Sequence, residues 1–173
     1  MRLRAAKARQ QLPPDVTAAV LRERIYGDIA CLSTLLVLTS QRDENKSAWL
    51  ALLDVAVATG GLWAASLLAE YVAHLGIHGA APKGREIVAL TRTSGQILEA
   101  AAIPGLLLAV AGLGWWKLHT ALWTSIWFTI ATLGLFALLA ARRTSLSWWG
   151  RGLLVLALVG LGALVVGIKT LAH

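Results

Sequence analysis

The chain is a series of long apolar runs separated by short polar breaks. Within the runs apolar residues fill most positions on every side of the helix. A helix that is apolar on all sides is one built for lipid or for a deep interior. Spans of about 20 residues cross a bilayer as helices. The runs predict five of them, at about 25–40, 49–75, 96–114, 120–141 and 152–171. The first is short, so its helix is expected to begin earlier and to take in the Arg22-Glu23-Arg24 turn, with Asp15 as an N-cap after Pro13-Pro14. The breaks are QRDENKS (41–47), HGAAPKG (78–84), WWKLH (115–119) and RRTSLSWWGR (142–151). Residues 86–95 read as amphipathic and lead into the third span, where Pro104 is expected to kink the helix or free the preceding carbonyls. The fold class is therefore all-α, a polytopic bundle of five transmembrane helices. Residues 1–14 form a basic arm and 15–173 a single transmembrane helical domain.

Composition sharpens this picture. Of the 173 residues, 57% are hydrophobic and only 14% charged, against about 25% charged in an ordinary soluble domain. That leaves little room for a separate soluble domain. The net charge of +7 does not point to nucleic acid, because the basic residues sit at the ends of apolar runs and not on one folded face. They act as topology signals. Twelve of the 16 Lys and Arg residues (Arg2, Arg4, Lys7, Arg9, Arg22, Arg24, Lys83, Arg85, Arg92, Arg142, Arg143 and Arg151) fall on the side of the N-terminal arm, while Arg42, Lys46, Lys117 and Lys169 fall on the other side. Positive residues favour the cytoplasmic side, which predicts a cytoplasmic N-terminus. Trp49, Trp115, Trp116, Trp148 and Trp149 lie where an interfacial aromatic belt requires them. The arm MRLRAAKARQQLPPDV lacks an apolar run and reads as a retained tail able to bind anionic lipid, not as a signal peptide.

Charge inside a span is costly and demands a reason. At about 1.5 Å per residue, Asp28 and Glu99 each lie about one turn inside the cytoplasmic ends of their spans, and Glu70 lies near the cytoplasmic end of span two. On that span Trp63, Ser66, Glu70 and His74 share one helical face. Asp28, Glu70, His74 and Glu99 are thus the candidate cation- or proton-binding residues of an inward-facing acidic vestibule. The competing reading neutralises each group locally: Arg92 with Glu99, Arg22 and Arg24 with Asp28, and Glu70 at the headgroups. Asp54 points to the opposite side, where Lys169 is a candidate partner.

Other chemistry is poorly served. Glu70, His74 and His78 have metal-ligand spacing, but Gly76 interrupts them and no second ligand cluster exists, so no metal or other cofactor is expected. Cys31 is single and reads as a core residue. There is no P-loop, no G-x-S-x-G and no HExxH, and Ser66 and His74 lie two turns apart, so an enzyme is not expected. Ala56-Gly60-Ala64 and Gly61-Ala65-Ala69 are small-xxx-small series that let helices approach closely. They predict that span two is central, contacted on two sides by neighbouring helices, a second copy of the chain or another membrane protein.

Glu23-Arg24-Ile25-Tyr26-Gly27, followed by Leu62-Trp63-Ala64 and Glu70-Tyr71, resembles a group of small bacterial integral membrane proteins with an E-x-x-Y-G start. The resemblance implies a bacterial inner-membrane location and carries no activity. Two functions stand as expectations: a small oligomeric proton or cation channel or permease, or a non-catalytic scaffold that binds another membrane protein.

Overall fold

The computed structural model describes residues 14–40, 47–142, 147–150, 152–153, 156–157 and 160. Among these there are helices and no strands. Five helices follow in order: α1 Pro14–Ser40, α2 Ala48–His78, α3 Arg85–Ser94, α4 Gln96–Gly112 and α5 Leu118–Arg142. The described residues from 148 to 160 are also helical. Most of the expected fifth span, 152–171, the basic arm before Pro14 and Lys169 lie outside the described residues.

Local signals set the ends. Pro14 opens α1, a first-turn position where a missing N–H costs nothing; Asp15 lies one residue inside the helix. The Ser47 hydroxyl accepts from the Trp49 amide at 3.2 Å and caps α2. Gly79, at φ 65°, closes α2 in the left-handed conformation with its amide on the Leu75 carbonyl. The arm formed by α3 and α4 bends by 44° at Gly95, while α4 continues as one helix through Pro104.

Two helices, α2 and Leu118–Ala140 of α5, are long and apolar enough to cross a membrane; α3 with α4 makes a third if the bent pair is one span. The charged residues Glu23, Arg24 and Asp28 set α1 apart from this group.

The core lies where α1 and α4 meet. Gly27, Cys31 and Leu35 of α1 are buried at i, i+4 and i+8, and Ile97, Ala100, Pro104, Leu108 and Ala111 form the buried stripe of α4. The contact is closest at Gly27, where a Cβ would stand 2.8 Å from the Ala100 Cβ and from the Ile97 backbone. On α5, Ala121, Leu122, Ser125, Ile126, Thr129, Leu133 and Ala137 face inward. Outside this core, Leu53, Val57, Leu68, Val72 and Ile77 of α2 are exposed.

Span two is therefore not the central helix that its small residues suggested. A Cβ at Gly60 or Gly61 would meet nothing within 4 Å. Only Ala51, Val55 and Thr59, all in its first half, are buried. That half packs on α4, with the Trp49 ring laid so closely on Gly112 that a Cβ there would stand 2.7 Å from it. The second half reaches α1 through polar side chains, described below. Close approach is controlled by Gly27 and Gly112, single glycines outside any repeated small-residue pattern.

These contacts predict a contrast between two glycines. Gly27→Val has backbone, not a flexible side chain, against the new atoms, so α1 and α4 must part; a loss of roughly 1–3 kcal/mol is expected. Gly60→Ala is expected to be neutral or slightly stabilising, since it fills open space in a helix. Thermal unfolding of the purified variants in detergent checks both. Equal midpoints for the two variants would show that the Gly27 contact is not tight.

Candidate functional site

Arg22, Glu23, Arg24 and Asp28 put four charges into little more than one and a half turns of α1. Successive helical residues point about 100° apart, so Arg22 and Arg24 diverge to different sides. Each arginine collects its own carboxylates, and the charged residues sort into two networks.

The first joins α1 to α2. The Arg22 guanidinium sits 3.0 Å from Glu23 and 3.8 Å from Glu70. Ser66 donates its hydroxyl to the second Glu23 oxygen at 2.6 Å. Glu23 is only 2% exposed, so a buried carboxylate is satisfied by one cation and one hydroxyl from two helices, as burial of charge requires. His74 extends this side toward α3. It lies 3.6 Å from Glu86 and against the tilted His78 ring, with centroids 4.4 Å apart.

The second network joins α1 to α4 and α5. Arg24 Nη1 is 3.6 Å from Glu99, and Arg24 Nε is 3.9 Å from Asp28. The guanidinium also lies over the Phe136 ring, 5.4 Å from its centroid, a cation–π arrangement. A cavity of about 250 Å³ between α1, α4 and α5 reaches Arg24 and is bordered by Thr17, Gln96 and Phe136.

Glu70 Oε2 is buried without a hydrogen-bond partner among the described residues, and Asp28 is buried more deeply still. It is 1% exposed, and neither carboxylate oxygen has a hydrogen-bond partner among the described residues. Thr132 of α5 faces it, but its hydroxyl donates to the Thr129 carbonyl at 2.9 Å. Thr129 in turn donates to the Ser125 carbonyl at 2.8 Å, beside Cys31. Ser125 is 0% exposed and its hydroxyl has no partner among the described residues. A polar seam thus runs along α1 and α5 from Arg24 to Ser125, inside otherwise apolar packing.

The four residues singled out from the sequence do not meet at one point. Asp28 and Glu99 share Arg24; Glu70 belongs with Arg22 and Glu23; His74 turns to Glu86. Glu99 pairs with Arg24, where the sequence suggested Arg92. Helix α2 runs unbroken through Gly76, but no group of three His, Cys, Asp or Glu residues is placed to hold a metal ion among the described residues. Glu23 escaped notice because it sits in a run of charges that looks interfacial. Its signal is the spacing Glu23, Gly27, Cys31, which puts it on the buried stripe of α1. The seam on α5 was also missed, although Ser125, Thr129 and Thr132 recur at helical spacing within an apolar span.

The Glu23–Ser66 bond generates a prediction. Ser66→Ala leaves a buried carboxylate oxygen without its donor, which costs about 1.5–3 kcal/mol when the acceptor is charged. Chemical or thermal unfolding in detergent measures it. In Glu23→Gln the same serine substitution is expected to cost distinctly less, and an equal cost in both backgrounds would show that the hydroxyl does not act through Glu23.

Comparison with protein-family models, curated proteins and solved structures returns no match, so the function is argued from this geometry alone.

Proposed function

We propose that the chain is a multi-pass protein of a bacterial inner membrane, with five spans and a cytoplasmic N-terminus, and that it moves a proton or small cation across the bilayer. Asp28 is the cation-bearing group. Glu99 and Glu70 with His74 form its approach from the cytoplasmic side, and Arg24 and Arg22 balance their charge. The observation that carries this reading is the state of Asp28: fully buried, with neither oxygen hydrogen-bonded and its nearest cation 3.9 Å away. A merely structural carboxylate is expected to look like Glu23, with its oxygens bonded. Buried ionisable groups left short of partners mark pathways for ions. The hydroxyls of Thr132, Thr129 and Ser125 continue a polar route from Asp28 into the bundle.

A second reading has its own support. The α2 face around Gly60 and Gly61 is open and apolar, which suits a scaffold whose helices pack against another membrane protein or a second copy, with the basic arm on anionic lipid.

Flux into proteoliposomes of the purified chain, under proton, sodium and potassium gradients, separates the two. The transport reading expects flux that Asp28→Asn abolishes while the variant still folds and inserts. It also expects Glu99→Gln to slow flux several-fold and Gly60→Leu to leave it intact. Full flux through folded Asp28→Asn removes Asp28 from the path. An absence of flux, with loss of a co-purifying protein in Gly60→Leu, favours the scaffold.

A further inference from the structure

We propose that the α1–α5 seam at Asp28 is a binding site for a hard monovalent cation of the sodium type, and that Arg24 is a tethered counter-ion which this cation displaces. The proposal deepens the transport reading and rests on it for its purpose, but it is tested by binding, which does not need transport.

The chemistry of the seam selects a cation. Both Asp28 oxygens lack hydrogen bonds, and so does the buried Nε of Arg24 facing them at 3.9 Å. The pair attracts without completing a bond, so the carboxylate keeps its coordinating capacity. The hydroxyl protons of Thr132 and Thr129 are committed to backbone carbonyls of α5. Their oxygens are left as acceptors. Ser125, fully buried and unpartnered among the described residues, adds another oxygen farther along the seam. An anion placed against Asp28 meets a carboxylate and two hydroxyl oxygens whose protons are turned to backbone carbonyls. A carboxylate with hydroxyl oxygens is instead the donor set of a hard cation.

Charge selects the valence. Asp28 and Glu99 share one arginine, and Glu99 is 64% exposed, so turning Arg24 onto it leaves one negative charge buried at Asp28. A monovalent ion brings it to neutrality; a divalent ion overshoots by one, in a site where unbalanced charge is costly. Arg24 also has a place to go. It is already 3.6 Å from Glu99 and over the Phe136 ring, so a cation on Asp28 moves it fully onto these partners. The adjoining cavity between α1, α4 and α5 reaches Arg24 from the open side.

This arrangement assigns opposite effects to two neighbours of Asp28. Arg24 competes for the carboxylate, so removing it tightens binding. Glu99 holds Arg24 away, so neutralising it weakens binding. Couplings of this kind are commonly worth about 5–150-fold in affinity.

The test is sodium-dependent thermal stabilisation of the purified full chain in detergent, at constant pH and constant ionic strength, with choline chloride replacing sodium chloride. A ligand that binds the folded state raises the midpoint in proportion to occupancy. The expected result is stabilisation by sodium over choline in wild type, half-maximal at about tenfold lower sodium in Arg24→Ala and about tenfold higher in Glu99→Gln, and absent in Asp28→Asn and weakened in Thr132→Val. Should Asp28→Asn not fold, the opposed shifts of Arg24→Ala and Glu99→Gln carry the test. Equal response to sodium and choline in wild type and Arg24→Ala overturns the proposal, as do shifts of both variants in the same direction. Stabilisation that follows pH but not sodium also overturns it and makes a proton the occupant. A sodium response without flux supports the site and removes the transport reading; proton flux without a sodium response does the reverse.

Discussion

Helix α1 carries Arg22, Glu23, Arg24 and Asp28 in a protein whose other long helices are almost purely apolar outside. Such charges are tolerated only where partners surround them. That constraint brings α1 into contact with α2, α4 and α5. Helix α2 supplies Ser66 and Glu70, α4 supplies Glu99, and α5 supplies the Phe136 ring and the Thr132 hydroxyl. Removing α2, α4 or α5 would take a partner away from one of these charges. Gly27 makes the arrangement geometrically feasible, because only a residue without a side chain lets α1 come against the Ile97 backbone.

The same constraint divides the molecule along its length. Toward the ends of α1 and α5 that hold Arg24 and Phe136, helices are joined by ion pairs and hydrogen bonds. Toward the other ends they are joined by Leu35, Leu38, Val55, Leu108 and Leu122 in apolar contact. Asp28 stands at the boundary of the two regimes with neither oxygen hydrogen-bonded among the described residues, a shortfall that Glu70 Oε2 shares. Asp28 is held at 3.9 Å from Arg24, which lies 3.6 Å from a second carboxylate, Glu99.

Much of this was legible in the residues. The helical class, the starts and ends of α2 and α5, and the inclusion of Arg22-Glu23-Arg24 in the first helix all follow from apolar run length, from Ser47 and from Gly79. The carboxylates at 28, 70 and 99 stand out because they interrupt apolar runs. Their pairing did not follow, since an arginine on a helix can reach carboxylates on any adjoining helix, and adjacency is not a local property. The small-residue series on α2 pointed the wrong way for a related reason. Small side chains permit close approach, but they do not compel it, and α1 reached α4 through one glycine at a crossing point.

What the sequence determined by itself was a set of helices whose apolar surfaces are made for lipid, because run length and mean hydropathy are sums over neighbouring residues. What only the tertiary structure decided was which charge meets which. The bend at Gly95, the crossing at Gly27 and the antiparallel seam of α1 on α5 bring Arg24 between Asp28 and Glu99 and set Ser66 on Glu23. Those contacts depend on distances between helices, to which a tenth of a turn of rotation matters, and no run of residues along one helix encodes them.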